Sequence, residues 1–203
     1  MSCASFSATW CLLPLIDLPS DSNLVTLPES IQQPISGTTP ACIGLGANLG
    51  DAADALRAAV RELASVPRTT LAAQSSVYRS APIDSSGPDY LNAVVLLHTA
   101  LTPHELLAHL QRIELAHGRE RPYRNAPRTL DLDLLVFGGV RLDTPTLTLP
   151  HPRLHQRAFV LLPLAEIAPD WHVPEHGRVA DLLRLVADQR VDKLSGCTPA
   201  ASA

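Results

Sequence analysis

Asp131 and Asp133 are separated by a single leucine in the run Leu130-Asp-Leu-Asp-Leu134. On a strand, residues i and i+2 share a face. Both carboxylates then point one way, while Leu130, Leu132 and Leu134 point to a core. Two like charges held that close repel unless a cation lies between them, and Mg2+ takes one or two carboxylates together with substrate phosphates. Taken alone, the pair is equally compatible with ordinary aspartates on a solvent-facing strand. Just upstream runs Arg119-Glu-Arg121-Pro-Tyr-Arg124-Asn-Ala-Pro-Arg128, which holds four of the 15 arginines of the chain within ten residues. A solvated charged loop is the plain reading of such a cluster. Opposed by no acidic block, however, it repels itself until an anion visits, and planar guanidinium forks suit a polyphosphate. Arginines followed at once by paired aspartates are what phosphoryl transfer from Mg-ATP requires.

A third candidate, Gly44-Leu-Gly-Ala-Asn-Leu-Gly50, lies between an expected strand and an expected helix. Its spacing is GxGxxxG instead of GxGxxG, and no acidic residue follows at the end of a second parallel strand. A dinucleotide site is therefore disfavoured, and a tight strand-to-helix turn is the expected role.

The elements that must carry these residues are legible in the apolar pattern. Ala41 to Leu45 is expected to be a short buried strand, and Asp51 to Val66 a helix with Leu56, Val60 and Leu63 on one face. Thr70 to Tyr78 and Tyr90 to Thr99 read as strands. Thr102-Pro-His-Glu105 predicts a capped helix start with proline at its first position. Leu106, Leu110 and Ile113 form its buried stripe, and Gly118 its stop. Leu130 to Phe137 reads as a strand, with Gly138-Gly139 turning the chain into a return strand, Val140 to Leu142. Helices are expected over Ala158 to Ile167, interrupted by Pro163, and over Val179 to Val186. The order is β-α-β-β-α-β with C-terminal additions. That predicts an α+β, ferredoxin-like antiparallel sheet with helices on one face.

With 203 residues, 46% of them apolar, the chain has material for one core. A net charge of −4 disfavours a generalist nucleic-acid binder. Aromatics at 4% are too few for base-stacking platforms. Cys3, Cys11, Cys42 and Cys197 are scattered with no CxxC, so reduced thiols are expected, not a zinc site. Residues 1–40 contain five prolines and no Lys or Arg. They predict a disordered extension, followed by a domain over 41–195 and a short tail over 196–203. The apolar stretch from Trp10 to Ile16 is broken by Pro14 and preceded by no basic residue, which makes it a poor signal peptide.

The run Pro127-Arg-Thr-Leu-Asp-Leu-Asp133 resembles the signature of the 6-hydroxymethyl-7,8-dihydropterin pyrophosphokinase family. The resemblance extends, in order along the chain, through Ile43 to Gly50, Val77-Tyr-Arg-Ser80 and Pro88-Asp-Tyr-Leu-Asn-Ala93. It continues through Gln111-Arg-Ile-Glu114, Gly118-Arg119 and Leu149-Pro-His151. It implies an enzyme of folate biosynthesis that moves the β,γ-pyrophosphoryl group of ATP onto the pterin hydroxymethyl oxygen, leaving AMP. By the same resemblance, Asp131 and Asp133 would hold two Mg2+ ions, while Arg119 and Arg128 would grip the ATP phosphates and help close the loop. Gln111, Glu114, Arg121, His151 and Arg157 correspond to ATP-contact positions. Ser80, Pro82, Ile83, Tyr90, Asn92 and Phe159 correspond to pterin-site positions. Tyr90 and Phe159 suit a flat heterocycle, and Asn92 can donate and accept at an amide edge. Asn125-Ala126 departs from the family, which often carries an aromatic there. The expected setting is a cytoplasmic monomer that takes ATP and the pterin, with no nucleic-acid or membrane partner. An RNA-binding module on the same fold is the alternative, opposed by the two aspartates and by a strand without exposed aromatics. A non-catalytic regulatory domain is a second. AMP production separates all three.

Overall fold

The computed structural model describes residues 36–82, 87–118 and 129–194. Strand β1 is Thr39–Ala47, followed by helix α1 at Ala52–Ala64. Strands β2 (Thr69–Gln74), β3 (Tyr78–Ser80) and β4 (Tyr90–Thr99) precede helix α2 (Pro103–Ala116) and strand β5 (Asp131–Phe137). With strand β10 (Val191–Lys193), the main sheet is antiparallel in the order β10-β3-β4-β1-β5, with β2 pairing β4 beside β3. Its last member, β10, comes from the C-terminal additions. The first four sheet positions in chain order reproduce the expected ferredoxin-like pattern. The single expected strand over Thr70 to Tyr78 is broken at Ser75, whose N–H and Oγ both engage Val94 (2.9 and 3.0 Å).

Local chemistry explains the two early helices. The Asp51 side chain accepts the Asp54 N–H at 2.8 Å and caps α1, which buries Leu56, Ala59, Val60 and Leu63. Helix α2 has the full reciprocal cap: Glu105 N–H donates to Thr102 Oγ1 (3.3 Å), and Thr102 N–H donates to Glu105 Oε2 (2.7 Å). Such caps contribute about 1 kcal/mol. Both helices pack on the face that carries Ile43, Leu45, Val95, Leu97, Leu132 and Leu134.

The other face is covered by the C-terminal additions. Cys42, Val94 and Leu96 there meet helix α3 (Ala158–Ile167) and the short helix α4 (Val179–Leu182) in a second apolar core. A strand buried on both faces needs a continuous apolar run, and β4 supplies one from Ala93 to Leu97. Pro163 does not interrupt α3. It is buried within the helix beside Leu161 and Leu164, and burial of this almost wholly apolar helix outweighs one missing N–H. Beyond α4 the expected helix tightens into a 3-10 turn, Leu183–Val186.

The expected return strand after β5 is also corrected. Gly138 turns the chain with φ +49°, where a Cβ would lie 2.8 Å from Thr39 Cγ2. The following chain then leaves the sheet and pairs β6 (Leu142–Asp143) with β7 (Thr148–Leu149). The outer edge of β5 is already occupied. Glu114 Oε1 accepts the Leu132 N–H at 2.8 Å, and the Leu135 carbonyl accepts the His151 N–H at 2.8 Å. A second small hairpin, β8 (His172–Val173) with β9 (Gly177–Arg178), follows α3. Among the described residues, no helix is long and apolar enough to cross a membrane.

Candidate active site

Asp131 and Asp133 are both half-buried on β5, while Leu130, Leu132 and Leu134 are buried in the core beneath α1 and α2. Across the β1–β5 ladder, Asp131 faces Gly46 and Asp133 faces Gly44. On the other side of β1, Gly46 faces Asn92 and Gly44 faces Val94. The two glycines therefore lie inside the strand, and Gly50 alone, at φ +61°, makes the turn towards α1. The strand runs on through Gly46 because Ile43, Leu45 and Ala47 keep alternating into the core. A Cβ at Gly46 would lie 3.7 Å from Asn92 Oδ1, and one at Gly44 would lie 3.4 Å from the Leu135 methyls. Two missing side chains thus clear a floor between the aspartates and Asn92.

That floor belongs to a cleft of about 440 Å³. Ser80, Tyr90 and Asn92 line one part of it. Asp131 and Asp133 lie on the β5 side, and Arg153, Gln156, Arg157 and Phe159 contribute from the chain entering α3. Asn92 is 5% exposed, and its Nδ2 donates to Ser80 Oγ at 3.0 Å. The amide donor is thereby committed, and the acceptor Oδ1 is the end beside Gly46. The Arg157 guanidinium sits 5.5 Å from the centroid of the Phe159 ring, a cation–π contact that couples the two side chains.

His151 adjoins this group. Burial pushes its imidazole pKa below the ordinary 6.5. Asp133 pulls it up, Arg157 pushes it down, and Asp131 pulls it up, with burial prevailing. Its Nδ1 accepts the Arg153 N–H at 3.1 Å. The neutral ring therefore carries its proton on Nε2.

The structure thus brings Ser80, Tyr90, Asn92, Asp131, Asp133, Arg157 and Phe159 to one cleft, with His151 beside it. Pro82 is half-buried at the end of the described segment after β3. Gln111 is exposed on α2. Glu114 is 2% exposed and reaches the site from beneath, through the Leu132 N–H between the two aspartates. Ile83, Arg119, Arg121 and Arg128 lie outside the described residues. Arg153 and Gln156 line the cleft without having been expected there. The role of Gly44 and Gly46 was also missed, although their i, i+2 spacing matches that of the aspartates opposite.

The family model for 7,8-dihydro-6-hydroxymethylpterin-pyrophosphokinase matches residues 42–169. The chain belongs to that family. It is a pyrophosphokinase. A 2-amino-4-hydroxy-6-hydroxymethyldihydropteridine pyrophosphokinase of Synechocystis is 47% identical over 138 residues, covering 68% of this chain and 71% of the relative. The enzyme of the same name from Pseudomonas aeruginosa is 41% identical over 155 residues, covering 76% of this chain and 96% of the relative. Among solved structures, wild-type Plasmodium falciparum HPPK-DHPS is similar in fold, with a TM-score of 0.56 at 14% identity. That likeness covers 77% of this pyrophosphokinase and 46% of the Plasmodium chain, so the protein spans less than half the length of that neighbour.

Proposed function

We propose that this pyrophosphokinase takes Mg-ATP and 6-hydroxymethyl-7,8-dihydropterin into the cleft and releases AMP and the pterin diphosphate, a step of folate biosynthesis. The observation that carries the reading is the cleared floor. Paired carboxylates face two glycines across one ladder, with an aromatic and amide pocket on one side and an arginine on the other.

Asp131 and Asp133 are the residues that would hold two Mg2+ ions. Among the described residues, no group of three or more His, Cys, Asp or Glu could hold a metal. A carboxylate pair that must be completed by other oxygens is the kind Mg2+ shares with substrate phosphates. When bound, the ions neutralise phosphate charge. Tyr90 and Phe159 supply apolar ring surface for the pterin, and Ser80, Pro82 and Ile83 are further pterin-site residues in this reading. Asn92 Oδ1 accepts from its amide edge, since Nδ2 is already held by Ser80. Arg157 pairs with phosphate oxygens, as Arg119, Arg121 and Arg128 do in this reading. Neutral His151 offers its Nε2–H to ATP. Gln111 serves ATP from the α2 surface, and Glu114 serves it by holding Leu132 between the aspartates. No side chain is required as a strong base, because a loose transfer rests on positioning and electrostatics. Magnesium dependence, a monomeric state, a cytoplasmic setting and the lack of nucleic-acid or membrane partners belong to the same reading.

The test is product analysis with the full chain, Mg2+, ATP and the hydroxymethyl dihydropterin. One AMP per pterin diphosphate is expected. Formation of ADP, or no pterin-dependent turnover, overturns the reading.

A further inference from the structure

Helix α3 opens without a cap of its own. Its N-cap residue is Arg157, whose side chain makes no capping hydrogen bond. The missing partner comes from the C-terminal additions, 31 residues further along the chain. Gln189 Oε1 accepts the Ala158 N–H at 2.9 Å. The same side chain donates from Nε2 to the Gln156 carbonyl, also at 2.9 Å. A donor on one side and an acceptor on the other fix which end of the amide faces which peptide.

The two bonds have a specific geometric meaning. The Gln156 carbonyl belongs to the peptide before Arg157, and the Ala158 N–H belongs to the peptide after it. Those two planes define φ and ψ of Arg157, here −124° and 110°. One half-buried amide therefore holds the backbone of Arg157 extended at the mouth of a helix. The Arg157 carbonyl meanwhile accepts from Val160 (3.1 Å) and Leu161 (2.9 Å). With both flanking peptides pinned, the guanidinium is directed into the cleft and over the Phe159 ring. Gln189 itself is anchored by its own N–H, which donates to the Val186 carbonyl at 3.0 Å.

We propose that Gln189 is a positioning residue for ATP binding, acting through Arg157. It contributes no atom to the cleft lining; it sets the backbone from which a phosphate-binding fork projects. The inference rests on the reading that Arg157 grips ATP phosphate, and it adds that the C-terminal segment determines how well. A misplaced fork loses bidentate pairing, which depends on planar alignment as well as charge.

The decisive experiment is a double-mutant cycle read by binding of a non-hydrolysable ATP analogue with Mg2+. Gln189→Met keeps the length of the side chain and removes both bonds. It is expected to weaken analogue binding about tenfold in the otherwise wild-type chain, and by less than about twofold in the Arg157→Ala background. Gln189→Glu, which retains an acceptor for Ala158 but loses the donor to Gln156, is taken through the same cycle and should fall between. It also serves if the methionine variant does not fold. Unchanged binding in both Gln189 variants overturns the inference, and so does an equal loss in both backgrounds. If Arg157→Ala alone binds the analogue like wild type, the Arg157 reading fails and the inference falls with it. The wild-type and Arg157→Ala arms thus tell the two failures apart.

Discussion

Asp131 and Asp133 differ from most surface aspartates in what surrounds them: half-buried, on one strand face, opposite glycines. Removing either carboxylate should therefore hurt chemistry far more than folding. Asp131→Ala and Asp133→Ala are each expected to lower turnover at least about 100-fold, equivalent to about 2.7 kcal/mol of transition-state stabilisation. The melting temperature should move by no more than about 2 °C. Steady-state kinetics at low Mg2+, with thermal melts alongside, checks both; near-normal turnover in both variants rules out the metal assignment. The glycines invite the converse experiment. Gly46→Val adds branched carbon beside Asn92 Oδ1, where even a Cβ comes within 3.7 Å. It should cut kcat/KM for the pterin at least about tenfold while the strand, now β-branched, stays formed. Wild-type pterin kinetics in this variant would show that the floor is not where the substrate sits.

At the scale of elements, the buried Glu114 is the clearest case of a side chain holding a strand. Glu114→Ala strands a buried Leu132 N–H, at a cost of about 1–3 kcal/mol, and should also lower turnover because both aspartates flank that peptide. Glu114→Gln keeps an acceptor and should recover most of the stability. Urea unfolding of the two variants tests this, and equal loss in both would mean the charge matters, not the bond. Much of this layer was readable beforehand, because the signals were local. The cap of α2 needs only Thr102 and Glu105, and β4 needs only its apolar run. The pairing of Asp131 with Asp133 needs only strand parity. What escaped was set by distant partners. Gly44 and Gly46 read as a turn until the register with β5 is known. Leu142–Asp143 leaves the sheet because Glu114 and His151 occupy the β5 edge. Helix α3 lies on the second face and passes through Pro163 because an apolar sheet surface waits there. Arg153 and Gln156 reach the cleft only through that docking.

For the whole molecule, the closing contact is a polar cluster that fastens the last strand. Glu166 on α3 accepts from Ser76 N–H (3.2 Å), Ser76 Oγ (2.8 Å) and Tyr78 Oη (2.8 Å), and pairs with Lys193 Nζ at 3.2 Å. Burial would raise the Glu166 pKa, but the bonds from Ser76, Tyr78 and Lys193 outweigh it and hold the group below its ordinary 4.5. The carboxylate form is thus favoured by the fold. Its contribution is present above the unfolded value near 4.5 and is lost as pH falls through the lower folded value. Urea unfolding from about pH 6 to about pH 3 should show stability dropping at the acid end. Glu166→Gln should flatten that part of the profile; an unchanged slope would assign the acid sensitivity elsewhere. A second whole-chain expectation concerns residues 1–35. Among the described residues, both apolar cores begin at Ala41 or later. Deleting 1–35 should leave turnover within about twofold and melting temperature within about 2 °C of the full chain. An insoluble or inactive product would show that this segment contributes to the core.

Among the described residues, one edge strand of the main sheet, β5, carries the two aspartates. A bare sheet edge recruits other chains, which is how many β proteins aggregate. Here the Leu132 N–H is closed by Glu114 and the Leu135 carbonyl by the backbone of His151. The enzyme can therefore keep its acidic pair at the rim, reachable by bulky charged substrates, without offering that rim as a template for strand addition. Losing Glu114 would reopen it, so lower solubility at high expression should accompany the fall in turnover.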